Sequence, residues 1–238
     1  MLNLVSFFWK TIPKNHRRAL LSYFDEINQY PINKFLSNDL DLPIDFLKYK
    51  CIFIHIPKCA GTSIKNSLFI NKCHSHMPLT FYEKYHPEFY REAFKFSIVR
   101  NPISRAYSAY RYLKFGNHRR NTTYKELINK YDDFDSFILN WLNPENVKKI
   151  HFFNPQYEYL TNSFGQISVD FVGKQESIET DFLKIQQILG EGKNLKHDNP
   201  SSGDKQPGFK KQTVDILNEV YRKDFELFGY NEGVLNFV

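Results

Sequence analysis

Lys50-Cys-Ile-Phe-Ile-His-Ile-Pro-Lys-Cys-Ala-Gly-Thr-Ser-Ile-Lys-Asn-Ser-Leu-Phe69 is the stretch on which the reading of the whole chain turns. Cys51 to Ile56 is an almost unbroken run of apolar, β-branched and aromatic residues, the pattern of a strand buried on both faces. Pro57 has no N–H to give to a ladder and ends the strand. Lys58-Cys59-Ala60-Gly61 then forms a short loop, and Thr62-Ser63 opens a segment with helical spacing at Ile64 and Leu68. Such a strand, loop and helix start make a device for holding an anion. The first N–H groups of a helix lack partners within it, and its dipole adds about half a positive charge there. Lys58 supplies a full charge beside them. The common nucleoside-triphosphate loop places Lys directly after its second Gly; here Lys58 precedes the only Gly, Gly61, by three residues.

A second stretch repeats the pattern: Phe94-Lys-Phe-Ser-Ile-Val-Arg-Asn-Pro-Ile-Ser-Arg-Ala-Tyr-Ser-Ala-Tyr110. Phe94 to Val99 reads as another central strand. Asn101 is a good helix cap, and Pro102 suits the first turn. Ile103, Ala106, Tyr107, Tyr110 and Leu113 follow at helical spacing and form a core stripe. Arg100 therefore falls at the carboxyl end of a strand, where open α/β sheets bind ligands. Its rigid fork matches phosphate oxygens, and Ser108, two helical turns on, can share an anion with it. Arg105 is open to two readings, a further contact to the same anion or a brace for the helix through an ion pair.

Between the two motifs lies Asn71-Lys-Cys-His-Ser-His-Met-Pro78. Two histidines beside a cysteine suggest a metal, but no matching Cys/His pair occurs downstream to complete a zinc site, so no metal is expected. An ordinary surface turn would carry the same residues. A catalytic reading is open because His titrates near working pH and can take a hydroxyl proton. His55, inside an apolar strand, reads as a core residue.

The chain has 238 residues, 42% of them hydrophobic, enough for a full core in a single domain. With 23 Phe and 15 Tyr, that core is bulky. A net charge of +6 favours anionic partners. The basic residues are scattered in pairs such as Arg17-Arg18 and Lys210-Lys211, without a basic helix, finger spacing or aromatic RNA-binding signature, so nucleic acid is not expected. Cys51, Cys59 and Cys73 form an odd count without a C-x-x-C pair, which favours a reducing compartment. The apolar start, Met1 to Trp9, is too short to span a bilayer and lacks signal-peptide features. A cytoplasmic protein is the expectation; the apolar start reads first as core packing, and a helix resting on a membrane surface is compatible with Lys10, Lys14, Arg17 and Arg18.

Pro-Lys-x-x-Gly-Thr-Ser resembles the 5′-phosphosulfate loop of sulfotransferases that use 3′-phosphoadenosine 5′-phosphosulfate (PAPS). The wording His-Ile-Pro-Lys-Cys-Ala-Gly-Thr-Ser looks most like the carbohydrate branch, sulfotransferase family 2, which includes heparan 2-O-sulfotransferase-like enzymes. Val-Arg-x-Pro-x-x-Arg-x-x-Ser-x-Tyr in the second stretch is similar to the family's 3′-phosphate motif. The resemblance implies that Lys58, Ala60, Gly61, Thr62, Ser63, Arg100 and Ser108 bind PAPS. It implies Lys58 and His76 as catalytic residues, the first against charge on the leaving phosphate and the second as base. His74 is then the accompanying histidine on the substrate side. Asn154-Pro-Gln-Tyr-Glu-Tyr-Leu160 resembles a segment near the acceptor, which puts Gln156 among substrate-binding residues. The loop His197 to Lys211 is similar to a cofactor-closing loop, with Asn199, Ser201 and Lys205 as the matching positions, and Glu176 is read as structural.

The fold implied is α/β, a single P-loop-like domain whose central parallel sheet is flanked by helices. Residues 1–47 are read as an N-terminal helical extension, with a helix from Leu20 to Ile27, and 48–238 as the sulfotransferase domain. Ile167 to Val172 is expected to be a late strand. Helices are expected from Tyr131 to Trp141, from Ser177 or Glu176 to about Leu189 with Gly190 as its stop, and from a Thr213 cap through Phe228. The activity implied is sulfuryl transfer from PAPS to a hydroxyl of a carbohydrate or glycolipid acceptor. Two rivals remain at this level: a phosphotransferase with a variant nucleotide loop, and a module that binds PAPS or an acidic glycan without turnover. The sequence sets no oligomeric state.

Overall fold

The computed structural model describes residues 11, 42–71, 76–116, 122–192, 194–196 and 208–232. Most of the expected N-terminal extension, including the helix at 20–27, lies outside the described residues, as do His74, Asn199, Ser201 and Lys205.

In chain order the elements are α1 (Ile44–Tyr49), β1 (Cys51–Ile54), α2 (Gly61–Leu68), α3 (Leu79–Tyr85), α4 (Pro87–Glu92), β2 (Phe94–Val99) and α5 (Pro102–Phe115). Then follow α6 (Thr122–Ile128), α7 (Phe134–Trp141), α8 (Tyr157–Leu160), β3 (Phe171–Lys174), α9 (Ile178–Leu189), α10 (Lys211–Val220) and α11 (Arg222–Phe228). The three strands make one parallel sheet in the order β1-β2-β3. This is the α/β fold expected, a parallel sheet flanked by helices. Cys51 pairs with Phe94 and Ile54 with Ser97, so the two strands run out of the sheet side by side and deliver Lys58 and Arg100 to the same edge. Buried Ser97 donates its hydroxyl to the Ile54 carbonyl (2.7 Å), tying the strands just before that edge.

β1 is fully buried, which its unbroken apolar run requires of a strand covered on both faces. One core cluster joins β1 and β2 to Phe46, Ile64, Leu68, Tyr82, Phe182 and Ile185 of the surrounding helices. A second gathers around α5, where Ile103, Ala106, Tyr110 and Leu113 meet Phe137 and Trp141 of α7, and Leu217 and Tyr221 of the C-terminal pair. The stripe read on α5 is thus a packing face. Among the described residues no helix is long and apolar enough to cross a membrane.

Four boundaries differ from the sequence reading, each for a local reason. The late strand is Phe171–Lys174 rather than Ile167 to Val172. Asp170 sets its entry, its N–H donating to Lys95 O and its carboxylate accepting from Lys95 N, both at 2.7 Å. Ile167 instead forms an isolated antiparallel bridge with Thr161. α7 starts at Phe134 because Asp133 accepts from Ser136 N and caps it there. Thr213 is buried inside α10, which begins two residues earlier at Lys211, so it is no cap. The last helix is broken in two at Tyr221, whose hydroxyl is drawn inward to Phe153 O (2.7 Å). Gly190 ends α9 as expected, in the left-handed conformation that a side chain disfavours.

Candidate active site

The loop after β1 is built from backbone in rarely used conformations. Lys58 and Ala60 have φ of 67° and 54°, and α2 starts at Gly61 without any side-chain cap. Gly61 is obligatory for space, since a Cβ there would run into the imidazole of His55. His55 is buried, as expected, and lies parallel to Phe53 with ring centroids 5.8 Å apart. Left-handed backbone at non-glycine residues is costly and gathers where a site needs it. The anionic ligand that an uncapped helix start invites would meet these amides together with Lys58.

The loop after β2 is built differently. Asn101 Oδ1 accepts from both Ile103 N and Ser104 N (3.1 Å each), closing the start of α5, and Pro102 follows in its first turn. Asn101 N donates to Glu176 (2.8 Å), whose other oxygen accepts from the Tyr230 hydroxyl (2.8 Å), so Glu176 is a structural brace. Arg100 is left with a half-buried guanidinium beside the first loop, its Nη1 3.4 Å from Lys58 O. Ser108 is half-buried on the same helix.

Among the described residues neither Lys58 nor Arg100 pairs with a carboxylate. Burial, and then the Arg100 charge, pulls the Lys58 ammonium down to about 8. Burial also holds Arg100 below its ordinary value. Two partly desolvated cations side by side are expensive unless an anion completes them. Lys58 Nζ rests 4.1 Å from the Tyr112 ring centroid, a cation–π contact. The Cys59 thiol is buried and thereby pushed up to about 12, so it stays protonated.

Among the described residues Arg105 has no carboxylate in the ion pair expected of it. It is fully buried, and its guanidinium donates to the carbonyls of Phe152 (3.0 Å), Phe153 (3.4 Å) and Asn154 (2.7 Å), stapling that segment to α5. Gln156, expected on the acceptor side, is likewise fully buried. Its Oε1 accepts from Arg100 N (2.9 Å) and the Cys59 thiol (3.2 Å), and its Nε2 donates to Arg100 O (2.8 Å). With both ends of the amide engaged inside, it faces the two loops from below.

His76 stands next to the first loop with φ 62°, its Nδ1 3.0 Å from His55 O and its ring centroid 4.5 Å from that of His55. A carbonyl can only accept, so Nδ1 carries the proton and Nε2 of the neutral ring keeps the basic lone pair. The sequence reading missed what surrounds it. His151 and Phe152 lie 5.9 and 6.4 Å from His76 by ring centroids, Phe152 meets Tyr112 at 5.1 Å, and Tyr124 meets His151 at 6.2 Å. This aromatic wall runs from Lys58 past His76. Its signal in the sequence was His151-Phe-Phe, directly ahead of the segment singled out at Asn154. Among the described residues no group of three His, Cys, Asp or Glu could hold a metal ion.

The structure thus brings Lys58, Ala60, Gly61, Thr62, Ser63, Arg100 and His76 to one edge of the sheet, while Ser108 lies further along α5 and His74, Ser201 and Lys205 lie outside the described residues. A family model described as "Sulfotransferase family" matches residues 46–231. No curated protein and no solved structure matches the chain.

Proposed function

The chain belongs to the sulfotransferase family, and on that ground we propose that it moves a sulfuryl group from PAPS to a hydroxyl of a carbohydrate or glycolipid acceptor. The observation that carries this reading is the pairing of Lys58 and Arg100 at one sheet edge. Both are partly desolvated, neither has a carboxylate partner among the described residues, and one stands at an uncapped helix start. Two anion handles on neighbouring loops suit a ligand with phosphates at both ends of its sugar. The donor set is therefore right for PAPS, with Lys58 and residues 60–63 toward the phosphosulfate and Arg100 with Ser108 toward the 3′-phosphate.

PAPS supplies an activated sulfuryl group, whose bond to the 5′-phosphate oxygen breaks as a bond to the acceptor oxygen forms. His76 Nε2 takes the acceptor's hydroxyl proton, a contribution of about 10²–10⁴-fold in rate. The hydrogen bond to His55 O holds the ring in the tautomer this step needs. Lys58, fixed over Tyr112, answers the charge on the departing phosphate, the preorganised electrostatic contribution that is usually largest. Half-buried Tyr112 and His151, each packed against buried Phe152, offer flat ring faces to a sugar ring.

Calorimetric titration with 3′-phosphoadenosine 5′-phosphate (PAP), with ATP and magnesium in parallel, tests the donor. Tight PAP binding with weak ATP binding is expected. Sulfate transfer from labelled PAPS to a panel of glycans and glycolipids tests the acceptor, and His76→Ala should lower turnover about 10²–10⁴-fold while PAP still binds. ATP preference, or no nucleotide binding by folded protein, overturns the reading.

A further inference from the structure

We infer that Gln156 is a positioning residue that sets the spacing and aim of the two anion loops without touching the ligand. The inference rests on the proposed use of those loops for PAPS. Past Val99 the ladder of β2 stops, and the backbone of Arg100 would have to find other partners. Gln156 provides them. Its side-chain amide takes both Arg100 N (2.9 Å) and Arg100 O (2.8 Å), the paired exchange that a neighbouring strand residue would make. The same Oε1 accepts from the Cys59 thiol (3.2 Å), so one amide clamps the first loop to the second.

The clamp is itself anchored. Asp224 of α11 is fully buried and accepts from Gln156 N (2.8 Å) and Tyr157 N (2.9 Å), with Gln156 Nε2 a further 3.4 Å contact. Burial raises the Asp224 carboxyl, while the Arg105 charge and these N–H groups oppose that rise. Arg105 in turn fixes the carbonyls just upstream of Gln156. Segment 152–157 is therefore immobilised on α5 and α11 before its glutamine reaches up between the loops. Gln fits this post and its neighbours in chemistry do not. An ionised Glu cannot donate to Arg100 O, Asn is one carbon too short to span both loops, and Met fills the volume but has no donor and only a weak acceptor.

Gln156→Met is the variant of choice, since it keeps the volume and buries no new charge. The expected result is a folded protein whose PAP affinity falls about tenfold or more, as the Arg100 backbone loses both partners. Acceptor KM at saturating PAPS should stay within about twofold, which an acceptor-contacting glutamine would not allow. Cys59→Ala, which removes only the thiol end, should cost less than Gln156→Met. Hydrogen exchange at the Arg100 amide gives a readout that needs no nucleotide, and the amide should exchange faster in Gln156→Met than in the parent. Unchanged exchange and unchanged PAP affinity in folded Gln156→Met, or a rise in acceptor KM instead, overturns the inference. Failure of the parent protein to bind PAP would instead sink the proposed donor, leaving the positioning role to be decided by the exchange data. Should Gln156→Met not fold, Gln156→Leu, which likewise buries no charge, and Cys59→Ala carry the same comparison.

Discussion

The β1–α2 and β2–α5 units read alike in sequence, each an apolar strand, a short polar turn and a helix with a hydroxyl residue near its start. Their turns are nevertheless opposite devices. In the first, no side chain caps α2, and left-handed backbone at Lys58 and Ala60 lays the start of the helix open beside Gly61. In the second, the protein consumes its own donors. Gln156 takes Arg100 N, Glu176 takes Asn101 N, and Asn101 takes the N–H groups of Ile103 and Ser104. An anion can be held by backbone in the first unit and only by side chains in the second. On the proposed use of these loops, the first hold is distributed over several groups and the second concentrated in Arg100.

Lys58→Met gives the largest expected effect on the first unit, a kcat loss of about 10²–10³-fold, while PAP affinity falls much less because the amides of α2 remain. The same change should raise thermal stability by about 1 kcal/mol or more at neutral pH, since a half-buried ammonium held near 8 leaves the fold. Melting curves and steady-state kinetics on one preparation check both. An affinity loss as large as the kcat loss would show the first unit to be a lysine site after all.

Arg100→Ala should cost PAP affinity about a hundredfold, the scale of a lost charge-assisted pair, and Arg100→Lys should restore little because a point charge cannot replace the fork. Titration calorimetry of the three proteins reads this directly. A mild effect of Arg100→Ala would mean that Ser108 or the capped helix start holds the phosphate, erasing the contrast between the units. Asn101→Ala is the gentler probe. It should lower stability by about 1 kcal/mol through loss of the cap and leave PAP affinity within about twofold. A marked gain in affinity would mean that the cap was masking a second backbone site.

The sequence showed the sheet edge and the places of Lys58 and Arg100 because both are local: a strand's apolar run, Pro57, Gly61, and the Asn101-Pro102 cap lie within a few residues of the groups they position. It could not show which buried polar groups would meet across the fold. Gln156 is remote in sequence from both Cys59 and Arg100, so a short resemblance placed it toward the acceptor when packing turns it inward. Arg105 was assigned an anion contact or an ion pair for the same reason; the carbonyls that hold it come from residues 152–154, in an irregular segment without a periodic pattern to read. The split at Tyr221 was hidden because its cause, the bond to Phe153 O, is also long-range.

The smallest effect separates the units by pH. In the free protein Lys58 is held to about 8 by burial and by Arg100. A bound anion favours its charged form, so binding should take up a proton as pH rises through that value, and PAP affinity should weaken by a factor of about five between about pH 7 and about pH 9.5. Cys59 is pushed up to about 12 and Tyr112 above the usual phenol range, both by burial, so neither gains charge in that window. Arg100 stays charged throughout, which leaves the second unit insensitive. Stability of the free protein should move the other way. The unfolded lysine keeps its proton to about 10.5, so between about 8 and 10.5 the unfolded state binds more protons, and the Lys58 contribution to stability rises with pH. Lys58→Arg, charged at every pH tested, should flatten both trends. A parent protein whose PAP affinity is level across that range would mean that Lys58 does not face the ligand, and that the first unit holds its anion with backbone alone.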